Sequence, residues 1–381
     1  MFAGLPNSFW KGLGGRLKQR LCHVSPLSIH STRWMEAFQK KGYNVSLVTD
    51  SQTWIAQKPR SVPIYALRTL SKYNAHRRLV PNYLSLIRTF KQIKPDLVHI
   101  HTQYHYAPAV YYSVKIPYVL HCWGLDVLGL HQMSFLRRIM AEQVAAKASR
   151  IVVDAYCMKR IWKSTGISGN KIEVIPFGVD TNLFNPNANG KHIREEIGIG
   201  EDTIAIVSTR PFFDHYNIEC LIKAIPTIVK AHRNVLFMIK GEGPLGSNIR
   251  RLAKKLHVEQ HVRFSNPVPY HRMPQYLAAA NIYVSPSFID STSVSLLEAM
   301  ACGLPPVTTD IPGNREWVKD GINGLLYPPK DHGALSERIV RLIENEDLRK
   351  RFGERCFQEV KERAAWNECV SKMETIYQSV I

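Results

Sequence analysis

Two carboxylates, Asp290 and Glu298, stand eight residues apart in the stretch SFIDSTSVSLLEAMACGLPPVTTDIPGNREWV, residues 287–318. Between them lie Thr292, Ser293 and Val294, followed by an apolar run of helical composition. That order predicts a strand end, a polar turn and a helix beginning near Ser293. The first N–H groups of a helix have no partner within it and carry a partial positive charge, which suits a phosphate. The backbone at Thr292, Ser293 and Val294 is placed to supply them. Glu298, about a turn further in, is suited to accept hydrogen bonds from a ribose diol, and Asp290 from hydroxyls of whatever the diphosphate carries. The stretch therefore reads as a site for a nucleotide bearing a polyhydroxylated group. A bare N-cap at Ser293 and a solvated Glu298 would leave Asp290 and the Pro-Gly-Asn loop unexplained.

Such residues need a scaffold. At 381 residues the chain exceeds what one core usually serves, so two domains are expected. No apolar run reaches the ~18 residues that would span a bilayer, and the first 21 residues lack an export signal's apolar segment and cleavage site. The seven cysteines are scattered, odd in number and without a CxxC pair, which argues against a disulfide framework or zinc cluster and fits a reducing cytoplasm. Apolar strands alternate with helices: RLCHVSPL, YNVSLVTD, PDLVHIHT, PYVLHCWG, RIVVDAY and KIEVIPFG, then TIAIVSTR, NVLFMIKG, HVRFSN, NIYVSPS and PPVTTD. Near-continuous Val, Ile and Leu strands between helices indicate α/β folding with buried parallel sheets and right-handed crossovers. The two series meet near IPFGVDTNLFNPNANG and predict two Rossmann-like domains facing across a cleft, with ligands at the strands' carboxyl ends. His99 and His101 in VHIHT share one sheet face, but without a carboxylate or Cys cluster nearby no metal site is expected.

The segment DSTSVSLLEAMACGLPPVTTDIPGNREWVKDGINGLLYPP resembles the donor site of retaining glycosyltransferases of the GT-B fold, glycosyltransferase family 4. SIHSTRWMEAFQKKGYNVSLVTD, VIPFGVDTNLFNP, IKGEGPLGSNIRRLAKKL and VRFSNPVPYHRMPQYLAAANIYVSPSF continue the resemblance in order, from about Leu21 onward. It implies an N-terminal acceptor-side domain over 1–178 (1–20 as an extension), a nucleotide-sugar domain over 179–358, and a helix in 359–381 crossing back. It also implies transfer of a sugar from a nucleotide-sugar donor to a hydroxyl of a glycan or lipid-linked acceptor, in surface polysaccharide or glycolipid synthesis. The family's Glu-x7-Glu pair falls on Asp290 and Glu298, so the first acid is one methylene shorter here. Arg210 falls on the family's diphosphate-binding arginine. The family's lysine about five residues later is missing, its region being occupied by His215 and Tyr216, which leaves His215 or Lys240 to supplement Arg210. The family's Gly-Gly donor loop becomes SPLSIHS, with Ser28, His30 and Ser31, and its His-Gly-x-Asp motif becomes WGLD, with Trp123 and Asp126 after His121. Ser28, His30, His121, Trp123 and Asp126 belong to the acceptor side, and Asp126 joins Asp290 and Arg210 as a candidate for the chemistry. No divalent metal or other cofactor is implied, since Arg210 and a helix N-terminus supply the positive field and no Asp-x-Asp motif is present. An epimerase on the same architecture and a non-catalytic basic binding module are the alternatives.

The net charge of +19 is unevenly divided. Residues 1–178 hold 25 Lys and Arg against 7 Asp and Glu, whereas 179–381 hold 25 against 24. One domain thus faces a polyanion, and with a lipid-linked acceptor an anionic membrane is expected rather than nucleic acid. In SKYNAHRRLVPNYLSLIRTFKQIKP, Leu79, Tyr83, Leu86, Ile87 and Phe90 alternate with Arg77, Arg78, Arg88, Lys91 and Lys94, and SFWKGLGGRLKQRL adds Phe9 and Trp10 among four cations. Either segment suits a helix lying on a bilayer; for the first, a core-packed domain helix is the equal alternative. A cytoplasmic protein, peripheral on the inner membrane face, is expected.

Overall fold

The computed structural model describes residues 19–49, 61–67, 79–101, 107–113 and 115–381. Phe9, Trp10, Arg77 and Arg78 lie outside them, as do the side chains of 79–82. The first domain contains strands β1 (Arg20–Val24), β2 (Asn44–Thr49), β3 (Ile64–Ala66), β4 (Leu97–His101), β5 (Tyr118–Cys122), β6 (Arg150–Val153) and β7 (Ile172–Val174). They form one parallel sheet in the order β3-β2-β1-β4-β5-β6-β7. The second contains β8 (Ile204–Ser208), β9 (Val235–Lys240), β10 (Val262–Ser265), β11 (Ile282–Ser285), β12 (Pro306–Thr309) and β13 (Leu325–Tyr327). These are also parallel, in the order β10-β9-β8-β11-β12-β13. Central strands such as β4 (LVHIH) and β9 (VLFMIK) are buried along their whole length, because helices cover both faces. Strand order reverses beside β1 and beside β8, and crevices at such points receive ligands in open α/β sheets.

The chain passes between the domains twice, and the two passages touch. Val179 donates its N–H to Ala364 O, and Trp366 donates its N–H to Val179 O, both at 2.8 Å. Beyond them the helix Trp366–Gln378 lies on the first sheet. Its Met373, Ile376 and Tyr377 share a core with Leu21, Trp34, Phe38, Leu97 and Val119.

The helix Leu79–Ile93 does not offer its apolar stripe to a membrane. Leu86 (0% exposed) and Phe90 (3%) are sealed in the first domain's core beside Val98 and Ile100. Leu84, Arg88 and Lys91 are exposed instead. The amphipathic pattern is real, but its apolar side covers the sheet. Among the described residues, no helix is long and apolar enough to cross a membrane. All seven cysteines are free and buried.

Candidate functional site

Ser293 caps the helix Val294–Ala301, its hydroxyl accepting from Leu296 N–H at 3.3 Å. The helix starts where the sequence placed it, because strand β11 ends in a Ser-rich turn whose hydroxyls satisfy the local backbone. Thr292 is fixed across the domain boundary: its hydroxyl donates to Asp154 O at 2.6 Å and accepts from Trp317 Nε1 at 3.1 Å. Gly313 lets the Pro-Gly-Asn loop close on this turn, since a Cβ there would lie 2.1 Å from Ser291 O.

Arg210, 5% exposed, projects from the loop after β8 towards this helix start. Its Nη1 donates to Ser293 Oγ at 2.5 Å and Ser295 Oγ at 2.8 Å, while Nη2 pairs with Asp290 Oδ2 at 2.5 Å. The Tyr216 ring lies beneath the guanidinium, 4.1 Å from its centre. Burial opposes the charge of Arg210, but Asp290 beside it keeps the group protonated. Asp290 therefore faces the arginine that was assigned to the diphosphate, rather than standing apart from it.

These residues line a cleft of about 380 Å³. Arg210, Asp290, Thr292, Ser293, Val294 and Glu298 form its second-domain wall, and His30, Trp123 and Phe177 close it from the first domain. Glu298 is buried, which raises its carboxyl pKa to about 7, against the opposing pull of Arg33 and of the Tyr270 phenol. Arg33 comes from the first-domain helix Ile29–Lys40 and lies over the Trp366 ring at 4.1 Å. An adjoining cleft of about 330 Å³ shares Trp123, Tyr216 and Asp290, and adds Asp126, His215 and Leu125. Burial, then Arg210, lowers the pKa of His215, so its imidazole is neutral near pH 7. Asp126 Oδ1 accepts from Trp123 N–H and Gly124 N–H at 3.0 and 2.9 Å, which fixes the turn presenting Trp123.

Three of the expected site residues are elsewhere. Ser28 caps the helix Ile29–Lys40 in a reciprocal box with Ser31. Lys240 donates to Ser265 Oγ (3.0 Å) and Asn266 O (3.1 Å) with its ammonium 3.7 Å from the Tyr276 ring centre, so it does not line the Arg210 cleft. His121 is fully buried behind the wall, stacked on Phe177 with ring centroids 5.5 Å apart. It belongs to a set that the sequence only half revealed. His23 pairs with His99 in register and His101 with His121, so four imidazoles from β1, β4 and β5 share one face. His23 Nδ1 and His101 Nε2 are 2.8 Å apart, His99 Nε2 and His121 Nδ1 3.2 Å, and His99 Nδ1 bonds the Tyr377 hydroxyl. Burial lowers every one of their pKa values, so the rings are neutral at pH 7. Sequence reasoning also missed Arg33 and Ser295, and gave Tyr216 no role. Arg33 stands in the segment SIHSTRWMEAFQKKG and Ser295 in SFIDSTSVSLLEAM, yet nothing in their spacing marks them.

The domains are held together around the cleft. Ser291 Oγ donates to Asp154 Oδ2 at 2.8 Å, and burial pushes the Asp154 carboxyl well above the usual carboxylate range. Glu316 accepts the N–H groups of Tyr156 and Cys157, both at 2.7 Å, so a second-domain carboxylate caps the first-domain helix Tyr156–Ser164.

Two parallel-sheet α/β domains facing across a cleft are the architecture of the GT-B glycosyltransferases. Residues 27–183 match the family described as Glycosyltransferase Family 4, and residues 190–358 match Glycosyl transferases group 1. The chain belongs to glycosyltransferase family 4. It is 26% identical over 298 residues to the N-acetyl-alpha-D-glucosaminyl L-malate synthase of Bacillus anthracis, covering 75% of each chain. It is 28% identical over 236 residues to a GDP-mannose-dependent phosphatidylinositol monomannoside mannosyltransferase of Corynebacterium glutamicum, covering 60% of this chain and 61% of the other. Among solved structures, sucrose-phosphate synthase of Thermosynechococcus elongatus superposes with a TM-score of 0.82 at 18% identity, over 95% of this chain and 99% of the other. Anabaena HepE, solved with UDP and glucose, superposes with a TM-score of 0.81 at 17% identity, over 95% and 100%.

Proposed function

We propose that this glycosyltransferase is a retaining enzyme that moves a sugar from a nucleotide-sugar donor to a hydroxyl of a glycan or lipid-linked acceptor. It works from the cytoplasmic side, in surface polysaccharide or glycolipid assembly. The observation that carries the reading is the convergence of Arg210, Asp290 and the capped start of Val294–Ala301 on one cleft, with Glu298 in its wall. In this reading the donor diphosphate takes the place Asp290 now holds on Arg210, and is further held by the free N–H groups of the helix start. Asp290, released, turns to the hydroxyls of the sugar. Glu298 receives the ribose diol. Charge grows on the diphosphate as the glycosidic bond loosens, so the buried guanidinium and helix start act most strongly in the transition state. The leaving diphosphate oxygen takes the proton of the incoming hydroxyl on the same face of the sugar, so no protein nucleophile is required. The reading requires no divalent metal. Trp123, opposite Asp290, forms an apolar wall for a sugar ring, and His30 and Asp126 shape the acceptor side.

The test pairs a thermal-shift screen of UDP, GDP, ADP and CMP and their sugars with NMR of the product made in chelator. Stabilisation by one nucleoside diphosphate and a product keeping the donor's anomeric configuration is expected. An inverted product would refute retention, activity lost in chelator would refute metal independence, and release of isomerised donor without acceptor would favour an epimerase.

A further inference from the structure

Since the helix Leu79–Ile93 spends Leu86 and Phe90 on the core, the strongly basic first domain needs another apolar contact if it is to rest on a bilayer. The exposed apolar side chains show where that contact is. Phe135 is 75% and Leu136 76% exposed, the highest values for large apolar residues among those described. They are adjacent, and they form the first turn of the helix Phe135–Lys147. The rest of that helix is ordinarily packed, with Ala141, Val144 and Ala145 turned inward. Its first turn thus stands clear of the core while its body is anchored. Single exposed apolar residues are commonplace, but two neighbouring large ones at one helix tip form a patch that water solvates poorly.

The charge around the tip points to the partner. Arg137 and Arg138 follow directly and Lys147 ends the helix, while Glu142, its one acid, pairs with Arg138 at 2.8 Å. The whole segment belongs to the half of the chain with 25 cations against 7 anions. An apolar tip flanked by long cationic side chains matches the headgroup boundary of an anionic bilayer: the rings and branches enter the acyl region while guanidinium groups stay with the phosphates. A second protein copy carrying the same charge would be repelled. The tip also lies close along the chain to the acceptor side. Phe135 lies ten positions beyond Leu125, which starts the first of two intervening short helical turns, is itself 43% exposed and lines the cleft beside Trp123 and Asp126.

We propose that Phe135 and Leu136 are a membrane-insertion tip that seats the first domain on anionic lipid and brings the acceptor side of the cleft to the headgroup level. The proposal rests on the reading of the protein as a transferase with a membrane-borne acceptor. The full chain, a Phe135→Ser/Leu136→Ser double variant and a Leu84→Ser variant are sedimented with phosphatidylglycerol–phosphatidylcholine vesicles, with pure phosphatidylcholine vesicles, and without lipid. Leu84 is also exposed, at 51%, but on the helix Leu79–Ile93. Binding of the wild-type chain to the anionic vesicles is expected to fall at least roughly tenfold in the double variant, with Leu84→Ser unchanged. Wild-type binding is expected to weaken on neutral vesicles and in high salt. Equal binding by the double variant, no wild-type binding at low salt, a larger loss in Leu84→Ser, or a change of oligomeric state in the lipid-free sample would each overturn the proposal. Thermal shift by nucleoside diphosphate is followed on the same samples and is expected to be unchanged in all three. If the donor reading alone is wrong, that shift is missing from the wild type while the vesicle result stands.

Discussion

Arg210 is held by Asp290, and in the proposed reading the donor displaces that acid, which would make Asp290 an opponent of nucleotide binding before it is a partner of the sugar. Replacing Asp290 with Asn removes the competing charge from a pair whose members are only 6% and 16% exposed. We expect Asp290→Asn to tighten nucleoside diphosphate binding by roughly three- to tenfold and to slow transfer by ~100-fold. Calorimetry and initial rates measure the two, and weaker binding in the variant would show that Asp290 supports the phosphates. Glu298 yields a second expectation. Its carboxyl titrates at about 7 because of burial, and a ribose diol binds better to the ionised form. Nucleotide affinity is therefore expected to rise between pH 6 and 8, with proton release on binding. Glu298→Gln should cost about 1.5–3 kcal/mol at pH 8 and abolish that part of the pH dependence. Parallel pH profiles for the two proteins would rule this out. The acids, the Ser-Thr turn and the capped helix were legible in sequence because their geometry is local. Arg33 was not: it approaches Glu298 only because a helix of the other domain begins at the cleft.

At the scale of elements, the parallel strands were readable from apolar runs, but β3 and β13 were not, at three residues each on the sheet edges. Segments that short show no period unless an apolar run extends past them, as Ile175 does for the equally short edge strand β7. The histidine set failed for another reason. Alternation in β4 shows that His99 and His101 share a face, whereas the addition of His23 and His121 depends on strand order, which no local pattern encodes. Interdomain contacts are equally invisible in the sequence. Glu316 caps a helix 160 positions earlier in the chain, and removing its charge while keeping its shape tests the closed arrangement. Glu316→Gln is expected to weaken this cap by about 1 kcal/mol, seen as roughly fivefold to tenfold faster amide hydrogen exchange at Tyr156 and Cys157. Unaltered exchange would mean that the cap is not formed in solution.

For the whole molecule, the buried imidazoles set the response to acid. The pKa values of His23 and His121 are lowered to about 3 and that of His30 to about 4, with His99 and His101 also well below 6.5, burial being the main cause throughout. The unfolded chain takes up protons at about 6.5 that the native state refuses. Stability is therefore expected to fall as pH drops from about 6.5 towards 3, by about 1.4 kcal/mol per pH unit for each ring. Glu298 acts oppositely, since its raised value favours the folded state below pH 4.5 and that benefit is lost up to pH 7. Denaturant titrations at pH 7, 6 and 5 measure the balance, and a flat profile would show that the rings are already paired or hydrated.

The touching passages at Val179 and 364–366 also impose an order on synthesis. Everything from 180 to 364 is threaded between β7 and the helix that finishes the first domain's core. A ribosome adding about 5–20 residues per second needs roughly 10–40 s to cross that interval. Until it has done so, Trp34 has no Trp366, and Phe38 and His99 no Tyr377, to rest against. The domain made first is thus completed last, and the nascent chain must carry an uncovered apolar face for that time.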